Sequence, residues 1–197
     1  KVAMPVYGCC FLRENSVWKE GEFGKMPMLQ SDKWHRLWDP SSYIGYAKMP
    51  LMFLNGTNDF AYPMDSYAKT CALVRSKKNY SIQLNMKHGH IFDFPEFFLF
   101  IDQYILNGTP MPEVSRPVVK KNKVSALVKA ETKLIEAKLY YTIAPHDQNH
   151  SRAWHTIDLT LNGNRIDGDA PPDDAKVWYV AVRDERKAIT SSELIMP

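Results

Sequence analysis

An α/β layer followed by a small antiparallel β-sandwich is the fold class the sequence predicts, and three observations predict it. Up to about residue 112, apolar strand-like runs alternate with segments of helical periodicity, the pattern of an α/β architecture with a parallel sheet. Past a proline-rich stretch the helical signal disappears, and five short strand-like runs crowd into about 80 residues, as in a sandwich. The length of 197 residues allows one large core or two modest ones, and 45% hydrophobic with 12% aromatic content is ordinary for a globular chain. The expected division is residues 1–112 for the α/β part, 113–123 for a linker and 124–197 for the sandwich.

Val2-Ala-Met-Pro-Val-Tyr7 is the first apolar run, and Gly8 marks its end. An irregular excursion follows, carrying Trp18, Trp34 and Trp38 between turn signals at Gly21, Gly24, Pro27 and Pro40. Loops of that length in a compact domain are usually functional or cover something. Pro50-Leu-Met-Phe-Leu54 is continuously apolar, as expected for a central strand covered on both faces. Asp65 is expected to N-cap a helix reaching about Val74, with Tyr67, Cys71 and Val74 on one stripe. Tyr80 to Met86 alternates, with Ile82, Leu84 and Met86 on one face, which predicts a half-buried strand near a sheet edge. Pro95 then opens an amphipathic helix through Phe97, Phe98, Ile101, Tyr104 and Ile105, and Asn107-Gly108 terminates it. Three prolines between Thr109 and Pro117 exclude helix and remove ladder donors, so this stretch reads as extended linker. Val124 to Val128, Ala137 to Ile143, Ala153 to Leu161, Val177 to Arg183 and Ile189 to Ile195 are the strands of the sandwich, with Trp154 and Trp178 expected in its core.

The net charge of +3 comes from scattered Lys and Arg, and the runs at Lys77-Lys78 and Lys120-Lys121-Asn-Lys123 read as solvated surface; no nucleic-acid partner is expected. No apolar run approaches the ~20 residues that would span a bilayer. Lys1-Val-Ala-Met-Pro-Val lacks the shape of a signal peptide, and residue 1 is read as a boundary or cleavage point. Three cysteines, with Cys9 and Cys10 adjacent, do not make a disulfide framework and are read as buried thiols. Glycosylation acceptor patterns at Asn55, Asn79, Asn107 and Asn149 are read as chance matches in turns and strands, which leaves the compartment open.

A hydrolase triad needs an acid held rigidly against a histidine, so that the imidazole is fixed in the tautomer able to take a proton from the nucleophile. Loops at the carboxyl ends of adjacent parallel strands supply that geometry. Asp59 follows one such strand and His88 the next, with a single helix between them, the order acid before base required in α/β-hydrolases. Each alone is bland, since an Asp after Asn is a common turn former and a loop histidine is usually just solvated. Their order makes them a pair. His90 competes with His88, because Gly89 allows either to be presented; His88 is favoured because it comes directly off the strand. No Gly-x-Ser-x-Gly nucleophile elbow occurs. Ser16-Val-Trp-Lys19 and Ser66-Tyr-Ala-Lys69 match Ser-x-x-Lys without the partner motifs, and are read as accidental. His88 and His90 lack further ligands at familiar spacing, and no glycine-rich phosphate loop is visible, so neither metal nor cofactor is expected. Trp18 is read as lining an acyl or sugar pocket, Trp34 and Trp38 as core.

Gly56-Thr-Asn-Asp59-Phe-Ala-Tyr-Pro63 resembles the Gly-x-x-Asp-x-x-x-Pro acid loop of α/β-hydrolases, and His88-Gly89 resembles their terminal His-Gly. More narrowly, Trp38-Asp-Pro40, Leu139-Tyr-Tyr-Thr142, Trp178-Tyr-Val-Ala-Val-Arg-Asp184 and Ser191-Ser-Glu193 are similar to bacterial proteins of the acetylxylan esterase-like and PhoPQ-activated pathogenicity-related groups. Those groups join a hydrolase domain to an immunoglobulin-like tail, and the resemblance covers nearly the whole chain. It implies the C-terminal half of an α/β-hydrolase sheet followed by an immunoglobulin-like β-sandwich. Asp59 becomes the triad acid and His88 the base, with substrate contacts at Trp18, Phe60, Tyr62 and His90. Val2 to Tyr7 becomes the strand after the nucleophile's helix, which puts the serine and oxyanion hole upstream of residue 1, in the missing N-terminal half of the domain. The implied substrate is a small-molecule ester or an ester of a carbohydrate, in a periplasmic or secreted setting, and the chain by itself is expected to be inactive. The alternative is a noncatalytic, degenerate hydrolase acting as a glycan- or protein-binding module.

Overall fold

A β-α-β unit sets the frame: β1 (Leu51–Gly56), α2 (Met64–Leu73) and β2 (Lys78–Gln83), with the two strands parallel and in register from Leu51 opposite Lys78 to Gly56 opposite Gln83. Before it lies α1 (Met28–Trp38), and after it α3 (Pro95–Ile105). The computed structural model describes residues 1–8, 10–86, 88–89, 93–145 and 150–197.

Residues 2–7 run parallel to the other edge of β1 through bridges at Ala3–Leu51 and Val6–Leu54. The Ala3 amide donates to Pro50, the Tyr7 amide to Leu54 at 2.8 Å, and the Met52 and Leu54 amides donate back to Ala3 and Pro5. The missing rung has a covalent cause: the next amide in that series belongs to Pro5, which has no proton to give. All six residues of β1 are buried, as its apolar run predicts. Leu51 and Phe53 pack with Met64, Tyr67, Cys71 and Val74 of the α2 side, whereas Met52 and Leu54 pack with Phe97 and Phe100 of α3.

The C-terminal part contributes β3 (Glu113–Val114), β4 (Val118–Lys120), β5 (Lys123–Lys129), β6 (Leu134–Thr142), β7 (His155–Asp158), β8 (Thr160–Asn162), β9 (Arg165–Asp169), β10 (Val177–Asp184) and β11 (Ile189–Ser191). These strands and the first two make two sheets, one ordered β1-β2-β11-β10-β6-β7 and one ordered β3-β5-β9-β8 with β4 also on β5. The architecture is therefore mixed α/β with a large antiparallel share. Val124, Ala126, Val128 and Ile166 of the second sheet face Ala137, Leu139, Trp178, Val180 and Val182 of the first across one apolar cluster. The alternate residues of β10, Val177, Tyr179 and Ala181, belong instead to the α2-side core. One strand thus serves two cores, which is why seven of its eight residues are buried.

Several expectations are corrected. β2 is flanked on both sides, by β1 and, through Ser191–Tyr80, by β11, so the sheet does not stop there but runs on unbroken into the C-terminal strands. Of the stretch read as linker, Glu113–Val114 and Val118–Lys120 are strands on β5, since Pro112 and Pro117 stand just before them and cost no ladder donor. Ala153 to Leu161 is not one strand: β7 and β8 separate at Leu159 and join different sheets. Asp65 lies in the first turn of α2 and Pro63 precedes the helix without a side-chain cap. In α3 the buried face is Glu96, Phe97 and Phe100, while Phe98, Ile101 and Ile105 are exposed; five consecutive apolar residues leave helical periodicity no power to choose a face.

Trp178 sits in the sandwich core as expected, but Trp154 packs on the α2-side core, 5.8 Å from Tyr179. Trp34 meets Phe23 at 4.9 Å, and Trp38, read as core, is 70% exposed. Cys10 and Cys71 are buried, and Cys9 lies outside the described residues. Asn55 and Asn79 are buried and inaccessible to glycosylation in the folded chain. No helix among the described residues is long and apolar enough to cross a membrane.

Candidate active site

The acid loop starts where β1 stops. Thr57 is fully buried, and its amide donates to the Gln83 carbonyl at 3.0 Å. Its hydroxyl accepts from the Asn85 amide at 2.9 Å and donates to Asn58 Oδ1 at 2.8 Å. One side chain therefore fastens the loop leaving β1 to the turn leaving β2. Asp59 follows, 1% exposed, and its Oδ1 accepts from the amides of Ala61 at 2.7 Å and Tyr62 at 2.9 Å. That Asx-type turn orients the carboxylate through backbone amides.

His88 meets this carboxylate edge-on. Its Nδ1 lies 2.9 Å from Asp59 Oδ2 and 3.1 Å from Oδ1. An ionised carboxylate can only accept, so Nδ1 donates in this contact, and in the neutral form of such a ring Nε2 keeps its lone pair. This is the tautomer a general base requires. The Asp59 side chain is shut off from solvent while that of His88 is 26% exposed, so the acid is held in the interior and the imidazole reaches the surface. The scarcity of competing water around the carboxylate strengthens the bond that fixes the ring.

Aromatic rings surround the imidazole. Tyr7 stacks on it at 4.1 Å with 30° between planes, Phe60 approaches at 5.3 Å edge-on, and Tyr62 lies at 5.7 Å. Trp18 joins through Tyr62, at 5.3 Å. Phe60 is 59% exposed, so the group presents an apolar ring to solvent beside the imidazole. Trp18 is brought there by anchors on its excursion: the Val17 amide donates to Ala61 at 3.2 Å, and buried Asp39 accepts from the amides of Phe11 at 3.1 Å, Leu12 at 3.0 Å and Ser41 at 2.9 Å. Burial alone would raise the Asp39 carboxyl, but the hydrogen bonds from Ser41, Leu12 and Phe11 outweigh it and hold the group below its ordinary 3.8.

Asp59, His88, Phe60, Tyr62 and Trp18 thus fall into one cluster at the carboxyl ends of parallel strands, whereas His90 lies outside the described residues. Ser16 donates to the Leu12 carbonyl and Lys69 pairs with Glu14, so neither Ser-x-x-Lys match forms a serine–lysine pair among these contacts. Among the described residues no group of three or more His, Cys, Asp and Glu side chains is placed to hold a metal ion. Tyr7 and Asn58 escaped the sequence reading. Tyr7 has the left-handed φ of 63°, and Asn58 donates to the Arg152 carbonyl at 2.9 Å, across 94 positions of sequence. Neither leaves a local signal beyond the Gly8 that follows Tyr7.

The chain matches neither the models of known protein families nor any curated protein.

Proposed function

We propose that Asp59 and His88 are the acid and general base of a serine-hydrolase triad in an α/β-hydrolase-like sheet, with the nucleophilic serine and oxyanion hole supplied by polypeptide preceding residue 1. The observation that carries this reading is the buried, amide-held Asp59 carboxylate accepting a hydrogen bond from Nδ1–H of His88 at 2.9 Å. A serine attacking an ester carbonyl would pass its proton to Nε2, and the departing alcohol would take that proton back. Asp59 keeps the ring in register and stabilises the imidazolium between those transfers. Trp18, Phe60 and Tyr62 support an ester with an apolar or ring-shaped part, such as a small acyl ester or an acylated sugar, because aromatic faces bind such groups.

Small-ester turnover and labelling by a serine-directed phosphonate, measured on the full-length polypeptide, test this reading. Asp59→Asn and His88→Ala are each expected to lower turnover on the order of 10⁴-fold without lowering the melting temperature much. Near-normal turnover by either variant sinks the assignment. A full-length protein that neither turns over esters nor takes the label would favour the noncatalytic binding module.

A further inference from the structure

Tyr7 occupies a position that packing economy does not explain. An aromatic residue in left-handed backbone conformation, here φ 63°, carries a steric cost that persists only where the surroundings enforce it. Such outliers concentrate at functional sites, and two contacts of Tyr7 say what this one does. Its hydroxyl accepts from the Gly89 amide and donates to the Gly89 carbonyl, both at 2.8 Å, across 82 positions of sequence. Its ring lies 4.1 Å from the His88 ring, nearly parallel to it.

A tyrosine hydroxyl has one proton and two lone pairs, so satisfying both the N–H and the C=O of a single residue uses it as a two-point clamp. Gly89 has no side chain to hold its own peptide groups, and among the described residues no atom apart from its chain neighbours lies within 4 Å of where a Cβ would stand. The clamp holds them from the far end of another chain segment. The base of that lever is firm: the Tyr7 amide is bonded to Leu54 of buried β1, and Tyr7 itself is 8% exposed. The Asp59 carboxylate, at the Nδ1 edge of the ring, is fixed by the amides of Ala61 and Tyr62. His88 is thus held between an acid oriented by one loop and a tyrosine oriented by the strand-like segment on the opposite edge of β1.

We propose that Tyr7 is a positioning residue for His88: its hydroxyl holds the Gly89 peptide and its ring backs the imidazole, so that Nδ1 stays aimed at Asp59. The proposal deepens the acid–base reading of Asp59 and His88 and rests on it. It assigns to the first segment of the chain a part in site geometry that is separate from chemistry, since Tyr7 touches the base and not the reacting atoms.

The test needs no turnover. In the 15N-labelled full-length polypeptide, the ring 15N shifts of His88 report the tautomer, and exchange of the Nδ1 proton with water reports how well the bond to Asp59 is kept. Y7F keeps the ring and removes both hydroxyl bonds. It should speed Nδ1 proton exchange roughly tenfold, the scale of about one net hydrogen bond, and move the ring shifts toward an average of the two tautomers. Y43F, which removes a hydroxyl bonded to the Leu37 carbonyl at 2.6 Å, should leave His88 unchanged. Y7F signals for His88 that coincide with those of the unsubstituted chain would overturn the proposal while leaving the Asp59–His88 pair intact. An unsubstituted chain without the Nδ1-protonated tautomer overturns the pair and, with it, this proposal. Should Y7F fold poorly, contacts between the Tyr7 and His88 ring protons by nuclear Overhauser effect in the unsubstituted chain decide the matter, and their absence overturns it.

Discussion

The side-chain amide of Asn58 donates to the carbonyl of Arg152 at 2.9 Å and to that of His150 at 3.3 Å, tying the loop that carries Asp59 to the segment just before β7. The carboxylate of the candidate site is therefore braced by the β-rich half of the chain, not by the β-α-β unit alone. Asn58→Ala removes both bonds and the acceptor of the Thr57 hydroxyl. It is expected to cost about 1–2 kcal/mol on denaturant unfolding and to weaken the His88 Nδ1 hydrogen bond detectably by NMR. Unchanged stability and an unchanged His88 spectrum would show the brace to be idle.

Gly56 closes β1 where another backbone comes too near for any side chain. A Cβ there would stand 2.3 Å from the Met86 carbonyl oxygen and 3.1 Å from its carbon. Neither atom is the end of a flexible side chain, so Gly56→Ala must displace the segment between β2 and His88. A loss of about 2 kcal/mol or more is expected from such overpacking, with loss of the Nδ1-protonated His88 signature. A variant that melts with the parent and keeps that signature would contradict the close approach.

Glu96 is a carboxyl buried between α3 and two strands, where Oε1 accepts from the Ile189 amide at 2.7 Å and from Gln83 Nε2 at 3.2 Å. Among the described residues Oε2 has no partner. Burial pushes its pKa above the ordinary 4.5, and the bonds from Ile189 and Gln83 only partly offset that. A raised carboxyl binds its proton more tightly in the folded state. Its contribution to stability is full below about 4.5 and is lost as pH rises through the folded value, so at neutral pH the charge opposes folding. Glu96→Gln keeps an acceptor for Ile189 and should flatten the stability profile above pH 4.5, leaving the variant at least as stable as the parent at pH 8. Urea midpoints at pH 5 and pH 8 check this; a variant much less stable at pH 8 would refute it.

Asp39 behaves in the opposite sense. Its pKa is held below 3.8 in the folded state, so the stability it supplies is present above that value and is lost as pH falls through the folded one. Asp39→Asn offers one acceptor oxygen where three amides converge, and sets an N–H against one of them. A cost of about 2–3 kcal/mol is expected at pH 7, with a shallower loss of stability on acidification than the parent shows. Thermal melts at pH 7 and pH 3 measure both, and a variant as stable as the parent at pH 7 would refute the anchor.

The sequence by itself determined the local grammar of this protein. Continuous apolarity made Leu51 to Leu54 a strand buried on both faces, Pro95 and Asn107-Gly108 bounded a helix, and the order strand, Asp59, helix, strand, His88 named two residues that do meet. These are properties of residue type and spacing along one segment, and the chain carries them without help. Tertiary structure alone decided whatever depends on which segments become neighbours. Ser191 beside Tyr80 joined the parallel pair to the C-terminal strands in one sheet. Phe98 and Ile101 went to the outer face of α3 because the sheet covers only one side of a helix that is apolar nearly all round. Asn58 found Arg152, and Tyr7 found Gly89, across long loops whose closure costs entropy that no local pattern encodes. The order of Asp59 and His88 is written in sequence, but what aims them at each other is written in the packing.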